Sequence, residues 1–152
     1  MQWILLVLVL SLLVGAARGG KLRNLTEIRV TGWWLLPLSF LILAASSFVP
    51  SNDSQLAVGL VLGSYLPLLL FVWLNRDLTG LWIAGLGVLM NFTVIAVNGG
   101  MPVLEEAARL AGETGALVLD AKHVLLTDET RLPFMADIIP LPGAVLSLGD
   151  VF

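Results

Sequence analysis

The chain has 152 residues, of which 58% are hydrophobic and only 12% charged, with a mean hydropathy of +0.96 and a net charge of −3. Soluble domains carry about a quarter charged residues, so a soluble fold of this length would leave much of its Leu, Val and Ile in water. The balance points to an integral membrane protein, and the lack of cysteine excludes a disulfide framework, a thiolate metal site and a cysteine nucleophile.

Four apolar blocks follow one another, at residues 2–17, 33–49, 56–74 and 81–97. Each is roughly 16–19 residues long, at or just under the ~20 that cross a bilayer core. None holds an Asp, Glu, Lys, Arg or His, and Trp33, Trp34, Trp73 and Trp82 lie at block ends, where an aromatic belt forms. The pattern predicts a four-helix transmembrane bundle over residues 1–98. Gly15-Ala16-Ala17 would suit signal cleavage, but "MQW" carries no positive side chain, whereas Arg18, Lys21, Arg23 and Arg29 follow the block. A retained helix with an outside N-terminus is therefore expected. Basic residues fall on alternate loops, with Arg76 marking the third, which keeps the first and third loops inside and places residue 98 outside.

Pro37 and Pro67 are each expected to remove a helix hydrogen bond and bend their span. Gly59 and Gly63 form a G-x-x-x-G step, and Gly85 and Gly87 a second small surface, both suited to close helix packing within the bundle or between chains.

Residues 99–152 change character, with eight acids against Arg109, Lys122 and Arg131, a charge near −5. This acidic, partly apolar tail fits an extracytoplasmic side and argues against nucleic acid as a partner. Asn98-Gly99-Gly100 reads as a helix stop with an αL exit. Pro102 then opens a short helix through "VLEEAARLAG", with Val103, Ala107 and Leu110 as its apolar edge. A second short helix is expected around residues 116–126, a polar turn at Thr127–Thr130, and an extended "DIIPLPG". Such an apolar tail has to pack on the bundle, on headgroups or on another protein.

Chemistry-bearing constellations are sparse. His123 and Asp120 would share a helix face as a half metal site or acid–base pair, with Asp137 a further carboxylate. A capped surface histidine is the plainer reading, and joining Ser147 to them as a hydrolytic triad lacks any nucleophile turn. No phosphate loop, dinucleotide fingerprint or haem motif is present, so no cofactor or metal is expected. Asn91 and Thr93 are the polar residues of the fourth span, and Asn91 lies on the same helix side as Asn98. A small ligand, if any, would sit among Asn91, Thr93, Asn98, Gly99, Gly100 and Met101, although helix-to-helix bonding is the commoner role for such residues.

At "NGGMPV", "LPFMADIIPLP" and "SLGDVF" the chain resembles a family of small multi-pass bacterial membrane proteins catalogued as a domain of unknown function. The resemblance implies that the Gly-Asp step opens one more membrane helix, a fifth beyond Phe152, and it implies no activity. The expected fold is thus an all-α integral membrane protein with a short-helix outer tail. The expected function is a non-enzymatic accessory subunit in contact with lipid and other membrane proteins. The alternatives are a small sensor or lipid- or quinone-binding protein near Asn91 and Asn98, and, more weakly, a membrane enzyme or metal protein around His123.

Overall fold

A computed structural model describes residues 2–21, 23, 28–50, 53–112 and 122–152, in two units, Met1–Val30 and Thr31–Phe152. The first unit contains helix α1 (Gln2–Ala17). Side chains from Leu5 to Val14 are exposed, and the helix ends where Gly19, at φ 81°, lets its N–H and that of Gly20 return to Ala16 O and Gly15 O.

The second unit is built on three apolar helices, α2 (Leu35–Ser46), α3 (Ser54–Leu74) and α4 (Leu81–Asn98). Two of these, α3 and α4, are long and apolar enough to cross a membrane. α2 has 12 residues and is shorter than its apolar block; at 1.5 Å per residue it spans about 18 Å. The reason lies at both ends: Thr31–Trp34 forms a turn, and the chain leaves the helix at Ser47. Pro37 is the third residue of α2, in the first turn, where its missing N–H has no helical partner to lose. The expected bend therefore has no cause there, whereas Pro67 does lie inside α3.

Local chemistry sets the helix ends. The Asp53 carboxylate accepts from Leu56 N at 3.2 Å as the N-cap of α3. Gly80 and Gly99 flank α4 at φ 90° and 69°, conformations open to glycine. Between helices, Ser39 Oγ donates to Ser64 O at 2.7 Å, tying α2 to α3 through a buried bond. At the end of α3, Asn75 acts as a portable peptide group. Its Oδ1 accepts from Thr31 N at 2.7 Å, and its Nδ2 donates to Thr31 O and Phe71 O, each at 2.8 Å.

After α4 the chain is not all helical. Strand β1 (Met101–Val103) leads into helix α5 (Glu105–Leu110), and strands β2 (His123–Leu125), β3 (Ile139–Leu141) and β4 (Ala144–Leu146) come after it. β1 pairs in parallel with β2, with Met101 opposite His123, and Val103 bridges in parallel to Asp137. β3 and β4 form an antiparallel hairpin turned by Pro142-Gly143, with Gly143 at φ 79°.

Three expectations are thereby corrected. Pro102 lies in β1, where its carbonyl accepts from Asp137 N at 2.9 Å, and the helix starts only at Glu105. The buried edge of α5 is Ala107 and Ala108, while Leu110 is 70% exposed, so burial favours the alanines that fit close to the backbone beneath. Of the second expected helix, residues 113–121 lie outside the described residues, and His123–Leu125 is a strand because Met101 N and Leu126 N complete its ladder to β1.

The core draws Val58 and Val61 of α3, Val94 and Ile95 of α4 and Met101 of β1 together, with Leu132 and Met135 packed on it. The tail is thus seated on the bundle, as a cap over the ends of α3 and α4. Replacing Asn75 by Ala would leave the Thr31 N–H and C=O without partners, at a cost of ~1–3 kcal/mol. Denaturant unfolding in detergent micelles should show that loss, with Asn75→Gln, whose longer side chain misses the paired geometry, recovering little of it.

Candidate functional site

Asn91 is 8% exposed on α4, and its amide meets the last turn of the chain. Nδ2 donates to Asp150 Oδ1 at 2.8 Å, and Oδ1 accepts from the Ser147 hydroxyl at 2.8 Å. The single Ser147 proton has a second acceptor in Asp150 Oδ2 at 2.9 Å, so it serves one of the two at a time. Ser147 N donates to the same carboxylate at 2.9 Å, and Asp150 N returns to Ser147 Oγ at 3.1 Å. This reciprocal pair is a capping box in which aspartate stands at the third position, and it closes a helical turn over Ser147–Val151.

The turn sits this close to α4 because glycine faces glycine. A Cβ on Gly149 would overlap the Asn91 carbonyl oxygen and crowd Gly87 O, and a Cβ on Gly87 would overlap Gly149 O. Gly87 therefore packs against the tail, while Gly85 packs against Val72 of α3. A Cβ on Gly63 would meet Ile42 of α2 at ordinary contact distance, and Gly59 faces open space.

Asn98 repeats the arrangement seen at Asn75. Its Oδ1 accepts from Arg131 N at 2.9 Å, and its Nδ2 donates to Arg131 O at 2.8 Å and to Val94 O at 2.9 Å. It steadies the neighbouring Leu132, the one described non-glycine residue at positive φ, 55°. Thr93 spends its hydroxyl on Leu89 O at 2.7 Å along its own helix. Gly99 is the αL cap of α4, Gly100 is held close to Val124 and Lys122 O, and Met101 is buried in the core. Of the six residues expected to surround a ligand, the two asparagines bond to the tail.

His123 and Asp137 do approach each other, with His123 Nε2 at 3.9 Å from Asp137 Oδ2, but from a strand and a loop and not along one helix. Asp120 lies outside the described residues. Among the described residues no group of three or more His, Asp or Glu is arranged to hold a metal ion. Ser147 bonds to Asn91 and Asp150, so the drawn triad with His123 does not assemble. Burial pushes the Asp137 carboxyl from its ordinary 3.8 up to about 7, and the nearby negative charge of Asp150 adds to the rise. Tyr65 of α3 stacks edge-on against Phe92 with ring centroids 6.2 Å apart.

Residues 27–152 match a family of unknown function, DUF5317. The chain belongs to that family. A protein of Thermotoga maritima, described only as uncharacterised, is 29% identical over 153 residues, covering 97% of this chain and 80% of that protein. No solved structure matches. The Asn-Gly-Gly-Met-Pro, Asp-Ile-Ile-Pro and Ser-x-Gly-Asp steps all lie within the matched residues, and in the structure they are the α4 exit with β1, the Asp137 loop with β3, and the turn on Asn91.

Asn75 is not singled out by the sequence, whereas the Ser147–Asp150 step stands out there as a motif without its tertiary role. The Ser-x-x-Asp spacing is the available signal for the second, but it names no distant partner. Gly149→Ala should destabilise by ~1–3 kcal/mol, because the methyl forces the turn off Asn91 and strands its amide. Gly59→Ala, facing open space inside α3, should leave stability unchanged or raise it by up to about 1 kcal/mol. Parallel unfolding curves of the two variants in one detergent check the contrast.

Proposed function

We propose that the chain is a multi-pass protein of a bacterial cytoplasmic membrane that serves as a non-enzymatic accessory subunit of a larger membrane assembly. The observation that carries this reading is the depth at which the Ser147–Phe152 segment lies on α4. Gly87 and Asn91, which receive it, precede Asn98 by eleven and seven residues, or about 16 Å and about 10 Å along the helix. Asp150 is exposed there, as are Val151 and Phe152, at 62% and 48%. With α4 across the membrane, a carboxylate and an isolated single turn would lie at bilayer depth, and such groups are tolerated only where protein or a water-filled cavity covers them. A neighbouring membrane protein against this side of α4 supplies that cover.

Other features support the reading. Phe40, Leu41, Leu66, Trp73 and Trp82 are all more than half exposed, as lipid-facing side chains would be. Arg76 stacks over Trp73 with its guanidinium carbon 4.9 Å from the ring, at the α3–α4 turn where the charge rule places the cytoplasm. Asn91 and Asn98, two of the polar side chains expected at a ligand site, fasten the cap. We take the four apolar blocks to be four spans, with the N-terminus and the cap outside.

Extraction in a mild detergent followed by native electrophoresis tests the proposal. Migration in a large, reproducible complex is the expected result, and a stable lone monomer would count decisively against it. The natural lack of cysteine makes sidedness equally accessible. A single Glu129→Cys should react with an impermeant maleimide added to intact cells, and Arg76→Cys should react only after lysis.

A further inference from the structure

We propose that Asp150 is the docking point for a cation carried inside a membrane-spanning helix of a different protein. This inference rests on the accessory-subunit reading and names what the partner brings to this side of α4.

The carboxylate is fixed by its own chain and still exposed. Oδ1 accepts from Asn91 Nδ2 at 2.8 Å, and Oδ2 accepts from Ser147 N and from the Ser147 hydroxyl, each at 2.9 Å. An ionised aspartate offers about four acceptor sites on its two oxygens, so these bonds leave room for a further donor. Asp150 is exposed, and so are the apolar Val151 and Phe152 next to it. Phe152 also lies against α4, its Cβ 3.1 Å from where a methyl on Gly87 would be. The result is an oriented carboxylate with apolar side chains beside it on an apolar helix, a surface suited to another helix with one matching charge.

The second unit holds four Lys and Arg side chains, Arg76, Arg109, Lys122 and Arg131, and among the described residues none of them pairs with Asp150. Arg109 is 2.6 Å from Glu105, Arg76 stacks over Trp73, and the Arg131 backbone is bonded to Asn98, seven residues beyond Asn91. Arg18, Lys21, Arg23 and Arg29 follow the first apolar block, on the side that the charge rule makes cytoplasmic. A second copy brings no cation to this depth either, because residues 2–17, 33–49, 56–74 and 81–97 contain no Lys, Arg or His. In the membrane a carboxylate and a cation are each costly alone, and pairing is how such residues are accommodated. Charge complementarity therefore selects a different protein, with a Lys or Arg about 10 Å below the outer end of an apolar span, level with Asn91.

Photocrosslinking in the native membrane, with Val151 of the full chain replaced by p-benzoylphenylalanine, reads the neighbour directly. The expected adduct is a peptide from an apolar span of another protein, with a Lys or Arg within one helical turn of the crosslink. Changing that cation to Met leaves this chain untouched and should weaken the complex seen on native electrophoresis at least about tenfold. Asp150→Asn should weaken it similarly. Adducts to lipid alone, to a second copy or to a span without a cation overturn the inference, as does a complex that survives either substitution. Should Asp150→Asn undock the turn, as judged by hydrogen exchange of the amides in residues 147–151, the partner's variant decides. A wild-type chain that migrates as a lone monomer removes the accessory reading as well, whereas an intact complex indifferent to the charge removes this inference alone.

Discussion

The structure depends on one polar junction inside an apolar helix, Asn91 with Ser147 and Asp150. An asparagine on an apolar helix is costly to leave unmatched, and its amide needs both an acceptor and a donor. The carboxylate of Asp150 and the hydroxyl of Ser147 supply the two, from 59 and 56 residues away. Their reach is short only because Gly149 and Gly87 let two backbones meet without side chains between them. Remove the glycines and the bonds cannot form; remove the bonds and the glycine contact has little to hold it. That anchor, together with the β1–β2 ladder, sets the position of β3, β4 and the Asp137 loop over the helices.

Asparagine solves a second recurring problem here. Where a helix ends beside irregular chain, peptide groups of both segments need partners. At Asn75 and at Asn98 the side-chain amide takes the place of a neighbouring strand, accepting from one N–H and donating to the C=O of the same residue, Thr31 in one case and Arg131 in the other. Each also donates to a carbonyl four residues back, so the amide belongs to its helix and to its guest at once. A carboxylate at either position could accept but never donate, and a longer glutamine would misplace both atoms.

The long helices are more legible in the amino-acid order than the short segments of the cap. The bounds of α3 and α4 lie within two residues of the apolar blocks, because hydrophobic runs and flanking Gly, Asp and Asn are local signals. The αL exit at Gly99 is legible for the same reason. Beyond Asn98 the strands are three residues long, and their conformation is decided by partners far along the chain, as at Met101 and His123. Pro102 misleads, since a proline before acids and alanines is also a helix start; only the distant Lys122 and Asp137 make it a strand. Asn91 stands out in the sequence as a polar residue needing explanation, but its partners lie in a capping box whose local pattern hides its tertiary use.

The order of the chain gives that junction a consequence for biogenesis. α4 is synthesised well before Ser147 and Asp150 exist, so a nascent chain carries an unmatched amide in an otherwise apolar helix. Until the Ser147–Asp150 turn is made, that helix has a reason to stay with whatever satisfies polar groups, such as a chaperone. Synthesis of that turn removes the reason. The same asparagine that anchors the mature cap thus marks immature or truncated chains, and the cell's quality control has a physical handle by which to tell them apart.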